Sequence, residues 1–175
     1  MARNWTIPFH PRSMDTNTPS SAARPSFLPG NLCPSVAFDA ATDESCVLEK
    51  IVPLEHTGSG TLKVRLLYAA STTTAGDDVR IDIVTEFRTP DVGENANTDN
   101  YDGTADSATL DFDDGTNPPA AYDMFVVVIT LTPATTPVAG DKFRIKITRD
   151  ANNGAGLDDL ASQWHLLGAE VYEEV

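Results

Sequence analysis

Alternation of apolar and polar residues at a period of two is the feature that most constrains this chain. In the segment TLKVRLLYAA at 61–70, Leu62, Val64 and Leu66 alternate with polar or charged neighbours over most of its length. Successive side chains of a β-strand point to opposite faces of the sheet. The segment therefore predicts a long antiparallel strand with one side buried and the other side in solvent.

The same pattern recurs through the rest of the chain and predicts eight strands. Clusters of Gly, Pro, Asn, Asp, Ser and Thr separate them, as expected of turns. In the sixth strand Val126 and Val128 make the second face apolar as well, so we expect this strand to be covered on both sides. The eight strands are expected at 35–38, 45–52, 61–70, 78–88, 106–112, 122–131, 141–150 and 163–173.

Eight such strands with almost no helical pattern leave few architectures. We predict an all-β fold, an eight-stranded antiparallel jelly-roll sandwich with an extended N-terminal arm. An immunoglobulin-like sandwich is the alternative, but such domains have about 100 residues and a Cys–Trp–Cys arrangement that this body lacks. A lipocalin-like barrel also has eight strands, but no regular glycine hairpins favour it here. The length of 175 residues suits one domain.

The first 36 residues differ from the remainder and predict an arm at 1–36 joined to a jelly-roll domain at 37–175. The arm has a net charge of +2, and the remainder carries −16. Its six prolines exclude a helix or a central strand and favour extended chain. Composition alone also fits a disordered tail. Large aromatic side chains offer anchors, so we expect the arm to bind a neighbouring subunit or other partner. The expected contact residues are Trp5, Phe9, Arg12, Arg24 and Phe27.

The net charge of the whole chain, −14, excludes some partners. A surface this acidic repels nucleic acid and anionic lipid. No apolar run approaches the length that spans a bilayer, and no apolar signal segment is visible at the N-terminus. We therefore expect neither nucleic acid nor a membrane as partner.

Catalytic and cofactor motifs are missing from the sequence. The histidines His10, His56 and His165 are far apart and lack zinc-site spacing, so we interpret them as isolated surface or packing residues. No nucleophile elbow, phosphate loop or dinucleotide fingerprint occurs. A glycosidase with paired carboxylates remains an alternative, but no two acids stand out for that role. We expect no enzyme activity, no catalytic residues and no cofactor.

The window 91–114 holds eight acids and no Lys or Arg. Clustered carboxylates are typical of calcium sites, but the glycine in DFDDG at 111–115 falls one position too early for an EF-hand loop. A solvated acidic loop is the alternative that we favour, and we expect no metal site.

A basic stripe and two aromatic residues complete the candidates. Lys142, Arg144 and Lys146 alternate along the seventh strand, and we expect them to pair with acids such as Glu170 or those of the fourth strand. The aromatic residues are interpreted as core or edge packing, with a sugar-binding face as the alternative. They are Trp164 and Tyr172.

Five segments in this order resemble one group of proteins. They are ATDES at 41–45, GSGTLKVRLLY at 58–68, AGDKFRI at 139–145, TRDA at 148–151 and LLGAEV at 166–171. Together they resemble the single jelly-roll structural proteins of tailed bacteriophages, over about 36–174. The resemblance implies a non-enzymatic virion component, on the head or on the tail, and supplies no catalytic residues.

The sequence therefore leads to one expectation and one alternative. We expect a capsid decoration or cement protein, made in the host cytoplasm and located in the virion. Its arm is expected to bind the major capsid protein or another virion protein, and a homotrimer is favoured by analogy with other virion jelly rolls. The alternative is a carbohydrate- or receptor-binding module of a phage tail fibre.

Overall fold

Ten β-strands and no α-helix make up the described part of the chain in this computed structural model. The structure describes residues 3–11, 23–28, 33–72, 77–90, 104–112, 120–152 and 158–175. The strands are β1 (Arg3–Phe9), β2 (Arg24–Leu28), β3 (Cys33–Phe38), β4 (Glu44–Ile51), β5 (Thr61–Ala70), β6 (Asp78–Arg88), β7 (Asp106–Asp111), β8 (Phe125–Thr130), β9 (Lys142–Arg149) and β10 (Trp164–Glu174). No helix in these ranges is long and apolar enough to cross a bilayer.

The strands form two antiparallel sheets that pack as a sandwich. Sheet A has the order β2-β3-β10-β5-β8, and β1 also pairs with β10. Sheet B has the order β4-β9-β6-β7. Successive strands from β3 to β10 move between the two sheets, except that β6 and β7 are neighbours in sheet B. This is the strand order of a jelly roll, so the predicted fold is confirmed, and each of the eight predicted strands corresponds to one of β3 to β10.

The described parts of the predicted arm differ from that prediction, because they are strands of sheet A. β1 pairs with β10 from Arg3↔Glu174 to Phe9↔Ala169, and β2 pairs with β3. β1 and β3 share one side of the long strand β10, since β5 occupies its other side along the whole length. In the described residues the sandwich therefore has ten strands instead of eight, and β3 (Cys33–Phe38) runs across residue 36.

The physical reason is the alternation of Trp5, Ile7 and Phe9, which the prolines obscured. These three side chains point into the core, while the intervening residues of β1 are exposed. Proline lacks an N–H group and is excluded from central strands, but Pro8 lies in β1 and Pro25 in β2, both of which are edge strands. The inward row of large apolar side chains outweighs the proline content.

The core lies between the two sheets and extends from end to end of the sandwich. From β1, Phe9 packs near Phe143 of β9, with ring centroids 6.4 Å apart. Burying a side chain of this size stabilises a fold by about 1.5–3 kcal/mol. Residues 3–9 are thus part of the structure that holds the two sheets together.

Candidate functional site

The residues that the sequence predicts to contact a partner do not share one exposed surface in the structure. Trp5 and Phe9 are buried in the core of their own chain, so the expectation that a partner covers them is wrong. Phe27, in β2, is 50% exposed. Arg24 pairs through its backbone with Ala37 of β3. Arg12 lies outside the described residues.

Trp5 instead belongs to a polar network at one end of the sandwich. Its indole Nε1 donates a hydrogen bond to Nδ1 of His56 at 3.1 Å. Nε2 of His56 lies 3.0 Å from the carbonyl oxygen of Pro137. A neutral imidazole with its proton on Nε2 satisfies both partners, because it accepts from the indole and donates to the carbonyl. His56 therefore ties the β4–β5 loop to β1 and to the β8–β9 loop, and it is not the isolated residue that the sequence indicated.

Glu173 of β10 holds the same β4–β5 loop through hydrogen bonds. Its side chain is buried, and its carboxylate accepts hydrogen bonds from Nδ2 of Asn4 at 2.7 Å and from the backbone N–H of Gly60 at 3.0 Å. Burial opposes the ionised form of Glu173, but the hydrogen bonds from Asn4 and Gly60 outweigh it, so the pKa of the carboxyl lies below its usual range. The β4–β5 loop is thus hydrogen-bonded to a buried carboxylate that stays ionised.

Gly60 is required by this arrangement. A Cβ atom at Gly60 would lie 2.5 Å from Cγ of Glu173 and 2.5 Å from the carbonyl oxygen of Glu174. Only a residue without a side chain allows β5 to begin this close to β10. At Gly60 the backbone of the Gly-Ser-Gly segment therefore approaches β10 closely.

Above this network the two loops expose a group of apolar side chains, here called the loop-end patch. Backbone hydrogen bonds join the loops, from Val52 N to Asp141 O at 2.9 Å and from Gly140 N to Val52 O at 3.0 Å. Leu54 is 82% exposed even though its loop is tied to the buried network. The members of the loop-end patch are Ile51, Leu54 and Val138.

A further group of side chains that could take part in chemistry surrounds His165 on β10. Nε2 of His165 lies 2.9 Å from Oγ of Ser71, and Nδ1 lies 3.2 Å from Oγ of Ser35. Burial lowers the pKa of His165, which keeps the ring neutral. The imidazole pairs with the two hydroxyls, and no carboxylate of the described residues hydrogen-bonds to the ring, so the arrangement agrees with the packing role expected from the sequence.

Acidic residues of the described ranges show no grouping of the kind that holds a metal. Most of the acidic window at 91–114 lies outside the described residues. At the end of sheet B, Asp158 is buried and forms an ion pair with the fully buried Arg149 at 2.7 Å. Arg149 also donates to the carbonyl oxygens of Leu160 and Ser162. This pair fixes the segment before β10.

Two members of the basic stripe on β9, Lys142 and Arg144, pair with acids as the sequence predicts, but not with Glu170. Arg144 forms an ion pair with Glu49 of β4 at 2.7 Å and with Glu86 of β6 at 3.4 Å. All three residues share one row across sheet B. Glu170 lies on sheet A, where it pairs with Arg3 and Arg65.

Comparisons with known proteins add little to this description. No protein-family model and no curated protein matches the chain. The insecticidal delta-endotoxin Cry8Ea1 from Bacillus thuringiensis is similar in structure, with 13% identity and a TM-score of 0.45 over 89% of this chain. The chain spans only 23% of that endotoxin. The carbohydrate-binding module TmCBM61, solved in complex with β-1,4-galactotriose, aligns with 92% of this chain and 87% of its own length, at 10% identity and a TM-score of 0.40. Both scores are too low to support a functional conclusion.

Proposed function

We propose that this chain is a non-enzymatic structural protein of a tailed-bacteriophage virion, a capsid decoration or cement protein bound to the major capsid protein or another virion protein. Support comes from the resemblance of 36–174 to single jelly-roll virion proteins. The jelly-roll strands β3 to β10 cover the same residues. The net charge of −14 suits a protein that packs densely on a particle and does not bind the DNA inside it.

The observation that carries the proposal is the exposure of Leu54 on a loop that a buried network holds in place. An exposed leucine on a mobile loop is ordinary, but here the backbone hydrogen bonds of Val52 fix the chain before Leu54, and the contacts of His56 and Glu173 fix it after Leu54. A pre-organised apolar group loses little conformational entropy on binding, which favours contact with another protein. We assign the attachment to the loop-end patch, in place of the N-terminal residues that the sequence indicated.

A carbohydrate- or receptor-binding module of a tail fibre is the second candidate, and it receives less support. Sugar-binding faces typically present aromatic rings to solvent. Among the Phe, Tyr and Trp residues of the described ranges, only Phe27 is exposed. Trp164 and Tyr172 are buried, so neither offers a sugar-stacking face.

The test is to quantify the chain by mass spectrometry in gradient-purified particles of the phage that encodes it, before and after separation of heads from tails. A decoration protein is expected in a fixed ratio to the major capsid protein in the head fraction. Recovery in the tail fraction alone would favour the tail-fibre module. Absence from both fractions would contradict a virion role.

A further inference from the structure

We propose that two copies of this chain pair along β8, antiparallel and around a two-fold axis, to form one continuous sheet A. β8 is an edge strand whose neighbour in the described part of sheet A is β5. The register with β5 runs from Lys63↔Thr130 to Tyr68↔Phe125. Among the residues that the structure describes, no strand bonds the backbone groups on the other side of β8.

The unpaired groups can be assigned to particular residues. Leu131, just after β8, donates its N–H to the carbonyl oxygen of Leu62 at 2.9 Å, so this residue faces β5. The N–H and C=O of one residue point to the same side of an antiparallel strand, and the side alternates along the chain. The odd-numbered residues of β8 therefore bond β5. Those that direct both groups to the open edge are Val126, Val128 and Thr130.

Among the edge strands in the described residues, only β8 has no proline and no charged side chain. Natural edges carry prolines, charges or bulges that prevent pairing with another chain. In the described sheets, β1 has Pro8, β2 has Pro25, β4 has Lys50 and β7 has Asp106. β8 reads FVVVIT, six residues without charge, proline or glycine. A strand of this composition pairs readily with another strand, so its edge needs a partner.

The faces of β8 are also incompletely covered by this chain. Val126 and Val128 are each 47% exposed, which differs from the expectation that this strand is covered on both sides. Met124, just before β8, is exposed too. Phe125 and Val127 face the core but are only partly buried. A strand added at this edge would shield both sets of side chains.

A second copy of β8 fits this edge by symmetry. Antiparallel pairing centred on Val127 places Val126 opposite Val128 of the second copy, and the reverse. Both residues direct their backbone groups outward, so each such pair exchanges two hydrogen bonds. The same register places Phe125 opposite Ile129 of the second copy on the core side. The contact is self-complementary, as a two-fold interface requires.

Charge favours this edge as the place where two acidic chains meet. Copies with a net charge of −14 repel each other over most of their surface. Next to β8 on the outer face of sheet A, Lys63 lies opposite Thr130 and Arg65 lies opposite Val128, and they form ion pairs with Glu174 and Glu170 of the same chain. An uncharged strand beside charges that are already paired within the chain adds little repulsion between the two copies. The two-fold pairing replaces the trimer that was expected by analogy.

The first experiment measures the mass of the purified chain by light scattering and sedimentation at tens of micromolar. The wild type is expected to be a dimer, and Val128→Lys a folded monomer, because the lysine places a charge on the paired strand. Thr109→Lys, on the exposed face of the β7 edge, is the matched control and is expected to remain a dimer. A monomeric wild type, or a Val128→Lys variant that stays dimeric, would overturn the proposal.

The second experiment tests the register. Val127→Cys in a Cys33→Ser background places two thiols at the axis, about 4.5 Å apart between Cα atoms, which lies within the range for a disulfide. The remaining Cys46 is buried. Mild oxidation is expected to crosslink Val127→Cys into dimers, and Thr109→Cys in the same background is expected to stay uncrosslinked. Equal crosslinking of the two variants would contradict β8 pairing. Both experiments use the isolated chain, so their outcome is separate from the virion attachment.

Discussion

Nε1 of Trp5 donates a hydrogen bond to Nδ1 of His56 at 3.1 Å, and this contact joins the first strand of the chain to the loop that exposes Leu54. Asn4 strengthens the connection, since its side chain donates to the carbonyl oxygen of Glu55 at 3.1 Å and to Glu173. The N-terminal residues therefore support the loop-end patch from inside the same chain. Four predictions follow from this relationship and its surroundings.

Removing β1 is expected to destabilise the domain instead of leaving a folded body. Truncating a buried aromatic residue costs about 3–5 kcal/mol, so Trp5→Ala alone removes a large part of the about 5–15 kcal/mol that stabilises a typical domain. Deletion of 1–10 removes Ile7 and Phe9 as well and is expected to prevent stable folding. Urea unfolding of both variants measures the loss. Phe27→Ala, at a half-exposed site, is the control and is expected to cost less than about 1.5 kcal/mol.

A soluble deletion variant with the unfolding midpoint of the wild type would show that β1 is dispensable. It would return residues 1–36 to the role of an arm that binds a partner.

Substitution of Gly60 tests the close approach of β5 and β10. Gly60→Ala is expected to cost about 1–3 kcal/mol from overpacking, in addition to weakening the hydrogen bond from Gly60 to Glu173. Gly140→Ala is the matched control, because Gly140 has a φ of +89° but nothing within 4 Å of an added Cβ. Its cost is confined to backbone strain of about 1–2 kcal/mol. Thermal unfolding measures both variants, and a loss below about 1 kcal/mol for Gly60→Ala would contradict the described packing.

The lowered pKa of Glu173 predicts how acid affects stability. Because the folded pKa lies below the ordinary value of 4.5, the ionised carboxylate stabilises the folded state at pH values above 4.5, and this contribution is lost as the pH falls through the folded pKa. Glu173→Gln removes it, leaving a donor where an acceptor is needed, at a cost of about 1–3 kcal/mol at neutral pH.

The measurement is urea unfolding of wild type and Glu173→Gln between pH 7 and pH 3. The difference in free energy of unfolding is expected to be constant down to about the ordinary glutamate pKa and to shrink below it. A difference that grows as the pH falls would show that the carboxyl is protonated in the folded state.

The sequence predicts the jelly roll well because the strands carry their own signal. The alternation of Leu62, Val64 and Leu66 is local, and each turn is marked by its own residues, so no long-range information is needed. The strands of 1–36 were missed for the opposite reason. The three inward residues of β1 are interrupted by Pro8, and only the pairing with β10, more than 150 residues away, shows that proline lies on an edge.

The site was harder to predict than the fold. A single exposed leucine such as Leu54 has no signature in a sequence, because its importance depends on whether its loop is fixed. The fixing groups, Trp5, His56 and Glu173, come from three distant segments, and a lone histidine in a turn is usually a surface residue. Only the spacing of Gly58 and Gly60 just before a long strand hints at a close approach.

The most direct measurement of the proposed attachment compares two single substitutions at exposed apolar residues. Leu54→Asp changes the loop-end patch. Phe27→Asp changes the half-exposed residue among those that the sequence predicts to contact a partner. Each purified variant, checked for wild-type melting temperature, is added to particles of the encoding phage that lack the chain, and its occupancy is measured after sedimentation. We expect Leu54→Asp to lose at least about tenfold in affinity, the scale of 1.4 kcal/mol, and Phe27→Asp to bind as the wild type does. Wild-type occupancy for Leu54→Asp together with loss for Phe27→Asp would contradict the account and place the attachment on the N-terminal segment.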